Sequence, residues 1–150
     1  PKDINLNISV GKNEALINAF IFYDNCSMNT VDKKFKEYTK KSVNKEPSVL
    51  KLKQLRLNTI LQNNMINKID YLNIDVEGNE YKVISSINFK KYNPKLISIE
   101  FNNYEIEELI NSEIHKCMKK NNYKLISKFG VTCFYIRDKD VDLIHKIMSI

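Results

Sequence analysis

Apolar and polar residues alternate at the start of the chain, as they do along a half-buried β-strand. The alternating apolar positions are Ile4, Leu6, Ile8 and Val10. Turn residues follow at positions 11–13, and a second apolar stretch covers residues 15–23. This pattern predicts two strands that form a hairpin.

The next segments predict helices and one further strand. Residues 32–41 favour a weakly amphipathic helix, and residues 49–55 a third strand. A helix is then expected from the spacing of Leu57, Ile60, Leu61 and Met65, with its end at residues 63–64 or at Asn67.

The middle of the chain combines an apolar strand with three acidic residues. Leu72, Ile74 and Val76 alternate as in a strand, Gly78 permits a sharp turn, and helical spacing begins beyond it. Asp75, Glu77 and Glu80 lie in or next to that turn. In open α/β sheets such a turn lies at the carboxyl end of a strand, where ligands bind.

A second buried strand, residues 96–101, also ends in an acid, Glu100. Asn102 or Asn103 is expected to cap one long helix that ends at residues 121–122, because acids fill its first turn and lysines its last. Residues 123–127 and 131–136 predict a closing antiparallel hairpin, followed by a short terminal helix at residues 141–148.

The 150 residues contain 24 Lys+Arg and 18 Asp+Glu, which gives a net charge of +6. Much of the excess lies between Lys33 and Lys53, so binding of a polyanion is one interpretation. A solvated helix is preferred, because the same segment carries acids and lacks the aromatic-glycine pattern of an RNA-binding sheet. Nucleic acid is therefore not an expected partner.

Other residues predict a soluble, cytoplasmic domain without a metal or disulfide framework. The three cysteines, Cys26, Cys117 and Cys133, show no zinc-type or short pairing. Residues 15–23 are too short to span a bilayer, and the first residues do not resemble a signal peptide. His115 and His145 have no paired nucleophile and are interpreted as structural or solvated.

The segment from Asp70 to Glu80, followed by Pro94 and by residues 96–100, resembles the FkbM-type family of S-adenosylmethionine-dependent methyltransferases. The similarity covers most of the chain and is most specific at residues 74–78 with Glu80. It implies an α/β fold: part of a class I methyltransferase (Rossmann-like) sheet, mostly parallel, with helices on both faces and a C-terminal antiparallel hairpin.

On this resemblance residues 1–150 are a single domain that corresponds to about strands 3 to 7 of the family fold. The family holds S-adenosylmethionine largely with a glycine-rich turn after its first strand, and no Gly-x-Gly pattern occurs here. We therefore expect an incomplete domain that is inactive by itself. The absence of the preceding strands is expected to leave an exposed sheet edge. Such an edge favours a homodimer.

The resemblance implies that Asp75 faces the methyl-bearing region of the cofactor, where it orients the substrate hydroxyl or accepts its proton. Asp75, Glu77 and Glu100 are the candidate catalytic residues, and Asp75 and Glu80 the candidate cofactor-binding residues. Alternatively, Asp75 caps the next helix and Glu77 and Glu80 are charges at its first turn. The carboxylates also suit Mg²⁺ or Ca²⁺, but such groups are common without metal, and no metal ligand is assigned.

Two functions remain open at this stage. The first is methyl transfer to the hydroxyl of a sugar or another small molecule such as a secondary metabolite. The second is a binding or assembly module that keeps the sheet and has lost the cofactor site. The second predicts that Asp75, Glu77 and Glu100 form internal hydrogen bonds and that no cleft lies beside them.

Overall fold

The computed structural model describes residues 3–24 and 28–142, which form two mixed sheets and five α-helices. Cys26, His145 and most of the predicted terminal helix lie outside the described residues. An α/β fold was predicted, and these elements agree with that class.

The first sheet consists of β1 (Ser9–Val10), β2 (Ala15–Ile21) and β3 (Ser48–Leu55) in the order β1-β3-β2. β3 pairs parallel with β1 and antiparallel with β2. The predicted hairpin of the first two strands is therefore wrong. β3 lies between them because it offers β2 seven paired positions, whereas Ile4 and Leu6 remain exposed outside any strand.

The second sheet consists of β4 (Tyr71–Ile74), β5 (Leu96–Glu100), β6 (Tyr123–Phe129) and β7 (Thr132–Arg137). Its order is β4-β5-β7-β6. β4 and β5 are parallel, and β7 runs antiparallel to both of its neighbours. The closing hairpin is confirmed, whereas a mostly parallel sheet is not.

The helices are α1 (Lys33–Val43), α2 (Leu57–Asn63), α3 (Glu80–Ile84), α4 (Ile106–Asn111) and α5 (Glu113–Lys120). The single helix predicted over residues 102–120 is wrong in two respects. It begins only after Glu105, and Ser112 is extended and divides it. The Ser112 hydroxyl accepts a hydrogen bond from the backbone N–H of His115 and so caps α5.

One apolar cluster joins the second sheet to its helices. Ile74, Ile97, Ile99 and Tyr135 supply the sheet side, and α2 to α5 supply Leu61, Ile84, Leu109, Met118 and their neighbours. Since these four helices share one cluster, the prediction of helices on both faces is not confirmed. The cluster fixes the positions of β4 and β5, whose carboxyl ends carry the acidic residues.

None of the helices in the described part of the chain is both long enough and apolar enough to cross a membrane.

Candidate functional site: a carboxylate cluster beside a cleft

The parallel pairing of β4 and β5 brings three carboxylates together. Ile74 lies opposite Ile99, so the residues that follow them, Asp75 and Glu100, leave the sheet at the same edge. Asp75, Glu77 and Glu100 each place one carboxylate oxygen within 4.8 Å of the others. The three predicted catalytic residues thus form one cluster, although the chemical role of each stays a prediction.

The backbone turns sharply between β4 and α3. Glu77 and Gly78 both have positive φ angles, 51° and 99°. Glycine tolerates the second angle at low cost, and its missing side chain also makes room for α1. A Cβ at position 78 would lie 3.3 Å from Cβ of Phe35 and 3.4 Å from Cβ of Asp32.

Glu80 stabilises this turn through its side chain. Its side chain is buried, and Oε1 accepts hydrogen bonds from the backbone N–H groups of Gly78 (3.0 Å) and Val76 (3.3 Å). These bonds satisfy donors that the turn leaves without partners in a ladder or helix. A cofactor contact by Glu80 stays a prediction, and its observed contacts are with the turn.

The loop that precedes α1 is tied to the same turn. The Thr30 hydroxyl donates to the backbone oxygen of Glu77 at 2.8 Å, and the N–H of Asp32 donates to that hydroxyl at 3.0 Å. Lys82 Nζ lies 3.3 Å from Asp32 Oδ2 and donates to Asn79 Oδ1 at 2.6 Å. Sequence reasoning missed Asp32, Asn79 and Lys82 as parts of the site, and only the spacing of Asn79 and Lys82 on one helix face signals a contact.

Burial and neighbouring negative charges raise the pKa of two of these carboxyl groups, Glu100 and Glu77. The pKa of Glu100 is raised to about 7, first because burial disfavours the charged form and then because the negative charges of Asp75, Glu77 and Glu80 repel it. Burial, and then Asp75 and Glu80, also raise the pKa of Glu77. Oε2 of Glu100 is buried without a hydrogen-bond partner among the described residues. The cluster therefore has a proton acceptor that titrates near neutral pH.

A cleft of about 430 Å³ opens beside the cluster, a volume typical of small-molecule sites. Asp75 and Glu77 line it together with the polar residues Thr30 and Asn79. The opposite wall is formed largely by the first sheet and by the residue that precedes β1; it includes Ile8, Val10, Ala19, Ile21 and Leu52. Glu100 instead lines an adjoining cavity with Asp32, Glu80 and Lys82. The assembly-module interpretation predicted that no such cleft lies beside the carboxylates.

The other candidate groups lie elsewhere. Nδ1 of His115 is 3.2 Å from the Tyr135 hydroxyl, and burial lowers the pKa of His115. Cys117 and Cys133 are free thiols, and burial raises the pKa of both. The contact of His115 with Tyr135 agrees with the structural role predicted for this histidine.

A comparison with known families identifies the class of this domain. The family model of the methyltransferase FkbM domain matches residues 1–125, most of the chain. The chain therefore belongs to the FkbM methyltransferase family. Searches of curated proteins and of solved structures gave no significant match. Family membership suggests dependence on S-adenosylmethionine.

The residues at the cleft fit the cationic part of S-adenosylmethionine. The carboxylates of Asp75 and Glu77 provide negative charge that would attract a sulfonium group, and apolar side chains line the opposite wall of the cleft. A glycine-rich turn to receive the methionine and ribose parts is not found in the 150 residues. The fit is thus to the reactive centre of the cofactor.

Proposed function

We propose that this domain serves S-adenosylmethionine-dependent methyl transfer to an oxygen atom. The observation that carries the proposal is the carboxylate cluster beside the cleft, at the carboxyl ends of two parallel strands. The acceptor we propose is a hydroxyl of a sugar or another small molecule such as a secondary metabolite. A hydroxyl must lose a proton when it is methylated, and the cluster provides groups that take one.

Asp75 is the residue assigned to the acceptor hydroxyl. Its side chain is exposed at the cleft, where its carboxylate can hydrogen-bond the hydroxyl and take up the proton. Glu77 adds negative charge at the same wall. Glu100 belongs to the same cluster, and because its pKa is raised to about 7 it can hold a proton at neutral pH.

S-adenosylmethionine, when bound, supplies an activated methyl group and its own leaving group. The chain then has to align the acceptor oxygen, exclude water and remove one proton. Thr30 and Glu80 serve the alignment by fixing the acidic turn through backbone hydrogen bonds.

We further propose that the cofactor is bound only partly by these 150 residues. The chain has the acidic turn of the family but no Gly-x-Gly pattern, so the methionine and ribose parts need a backbone turn from additional chain. Residues 1–150 are expected to be inactive alone.

The proposal is tested by calorimetric titration of S-adenosylmethionine and S-adenosylhomocysteine. Both ligands are titrated into the 150-residue chain and, where the gene encodes residues upstream of it, into a chain extended by those residues. The longer chain should bind both ligands. Asp75→Asn should weaken the binding of S-adenosylmethionine about tenfold and that of S-adenosylhomocysteine less than threefold. Only S-adenosylmethionine carries the positive sulfonium charge that Asp75 would attract.

Asp70→Asn is the matched control. Asp70 precedes the same strand at its other end and is ion-paired with Lys68 and Lys95, so its loss should leave both affinities unchanged. Binding by the short chain alone would contradict the incomplete-domain proposal. Absence of binding by both chains would contradict the methyltransferase proposal and favour the assembly module.

A further inference from the structure

Four lysines from four different elements line one groove of about 710 Å³. Lys12 lies in the turn before β2, Lys33 begins α1, Lys51 is in β3 and Lys82 is in α3. Only two of them, Lys33 and Lys51, belong to the basic segment noted in the sequence. The convergence of the four depends on the fold and not on a run of neighbouring lysines.

The groove presents positive charge without an acidic lining. Its other polar lining residues are the amides Asn13, Asn18, Gln54 and Asn79 and the phenol Tyr81, and no carboxylate from the described residues lines it. Lys82 pairs with Asp32, whereas no ion pair of Lys12, Lys33 or Lys51 occurs in the described part of the chain. An anion placed there would gain attraction from several ammonium groups and relieve their mutual repulsion.

Asn79 provides a second, independent observation at this groove. It is only 4% exposed, lines the groove, and accepts a hydrogen bond from Lys82 through Oδ1. Its Nδ2 is buried and has no hydrogen-bond partner among the residues described. An unpartnered buried amide donor is costly, and an anionic oxygen is the partner that such a donor prefers.

From these observations we propose that the groove binds the dianionic group of a phosphate monoester or of inorganic phosphate. Lys33, Lys51 and Lys82 provide the charge, and Asn79 provides a neutral donor. Asn79 and Val31 line both this groove and the carboxylate cleft, so the two cavities adjoin through the loop before α1 and the acidic turn.

The size of the groove favours a small anion over nucleic acid. A volume of about 710 Å³ is in the range of small-ligand sites, whereas single-stranded nucleic acid is bound along extended basic grooves with aromatic stacking platforms. Tyr81 is the only half-exposed aromatic side chain in the lining. The anionic group can belong to a free metabolite or to the methyl acceptor of the proposed function, and the test separates these sources.

The test is calorimetric titration of the 150-residue chain with inorganic phosphate, glucose 6-phosphate and glucose at fixed ionic strength. Both phosphates should bind and glucose should not. The exposed variants Lys33→Gln and Lys51→Gln should each weaken binding about threefold to fivefold, and the double variant about tenfold. Lys124→Gln in β6 is the control and should bind as the parent does.

Each outcome has a defined meaning. Equal binding of inorganic phosphate and glucose 6-phosphate indicates that a free anion suffices, and much tighter binding of the sugar phosphate indicates a group carried by an acceptor. No phosphate binding, or equal weakening by Lys124→Gln, overturns the proposal. In a parallel titration with single-stranded oligonucleotides, binding that is tighter than that of phosphate and that strengthens with oligonucleotide length also overturns it. None of these results depends on S-adenosylmethionine, so failure here leaves the proposed methyl transfer untouched.

Discussion

Glu100 shows how a fold changes the chemistry of a single carboxyl group. It ends β5 in partial burial, with one oxygen unpartnered among the described residues and three acids around it. These surroundings raise its pKa to about 7 from the model-peptide value of 4.5. The folded chain therefore binds a proton at Glu100 more tightly than the unfolded chain does.

This pKa shift predicts a pH dependence of stability. Between about pH 4.5 and pH 7 the native state holds the proton that the unfolded state releases, so the free energy of unfolding should fall as the pH rises through this window. Glu100→Gln removes the ionisation. It should raise the free energy of unfolding by about 1 kcal/mol at pH 8, since water screens part of the repulsion, and by much less at pH 4.5.

Urea unfolding of both proteins at the two pH values measures this effect. Glu107→Gln, an exposed position in the first turn of α4, is the control and should change stability by less than about 0.5 kcal/mol at either pH. A Glu100→Gln protein with no gain at pH 8 would show that Glu100 is not repelled by its neighbours.

At the scale of elements, the acidic turn depends on the packing of α1 as well as on its own sequence. Gly78 combines a φ of 99° with a close approach to Phe35 and Asp32. Gly130, in the hairpin between β6 and β7, has a φ of 57° but open space where a Cβ would lie. A side chain at position 78 would therefore meet both a φ outside the left-handed region of L-residues and a packing clash, whereas one at position 130 would meet only the milder backbone strain.

Gly78→Ala should destabilise the chain by about 2 kcal/mol and Gly130→Ala by about 1 kcal/mol, as measured by thermal or urea unfolding. The larger loss at position 78 is expected because the added methyl group also displaces the start of α1. Equal losses at the two positions would mean that α1 yields without cost and does not brace the turn.

The sequence predicted the acids that end β4 and β5 because the signal for each strand is local. Alternation identified β4 and an apolar run identified β5, and parallel strands bring their carboxyl ends to one edge. The contacts that hold the turn were not predictable. The bond from Thr30 to Glu77 joins residues 47 positions apart, and the burial of Glu80 depends on backbone angles that the residue types do not specify.

Local sequence patterns also failed to predict a helix break caused by a competing side-chain hydrogen bond and a strand pairing with a distant segment. Ser112 ends α4 and caps α5 because its hydroxyl accepts a hydrogen bond from a backbone N–H group. The apolar residues on both sides of Ser112 keep helical spacing, so the sequence pattern did not indicate this break. β2 joined β3 rather than β1 because the longer pairing was available 27 residues away. The period of the apolar residues identifies a strand. The order of the strands in a sheet can be predicted only when all possible pairing partners are compared.

The arrangement of the whole molecule leaves one side of β4 open. Among the described strands, β4 pairs only with β5, and Tyr71 in β4 is 53% exposed. An edge strand of this kind presents unpaired N–H and C=O groups that favour association with another strand. Self-association of the chain through this edge, which the sequence predicted, remains a prediction.

Light scattering after size-exclusion chromatography tests this association. The chain should show twice its mass of 17.6 kDa at high concentration and approach the monomer on dilution. Asn73→Lys places a charge on the exposed edge strand and should shift the protein to monomer, because charged edges oppose strand pairing. Asn63→Lys, at the exposed end of α2, adds the same charge elsewhere and should leave the dimer intact. A monomeric parent at every concentration, or equal dissociation by both variants, would exclude the β4 edge as the interface.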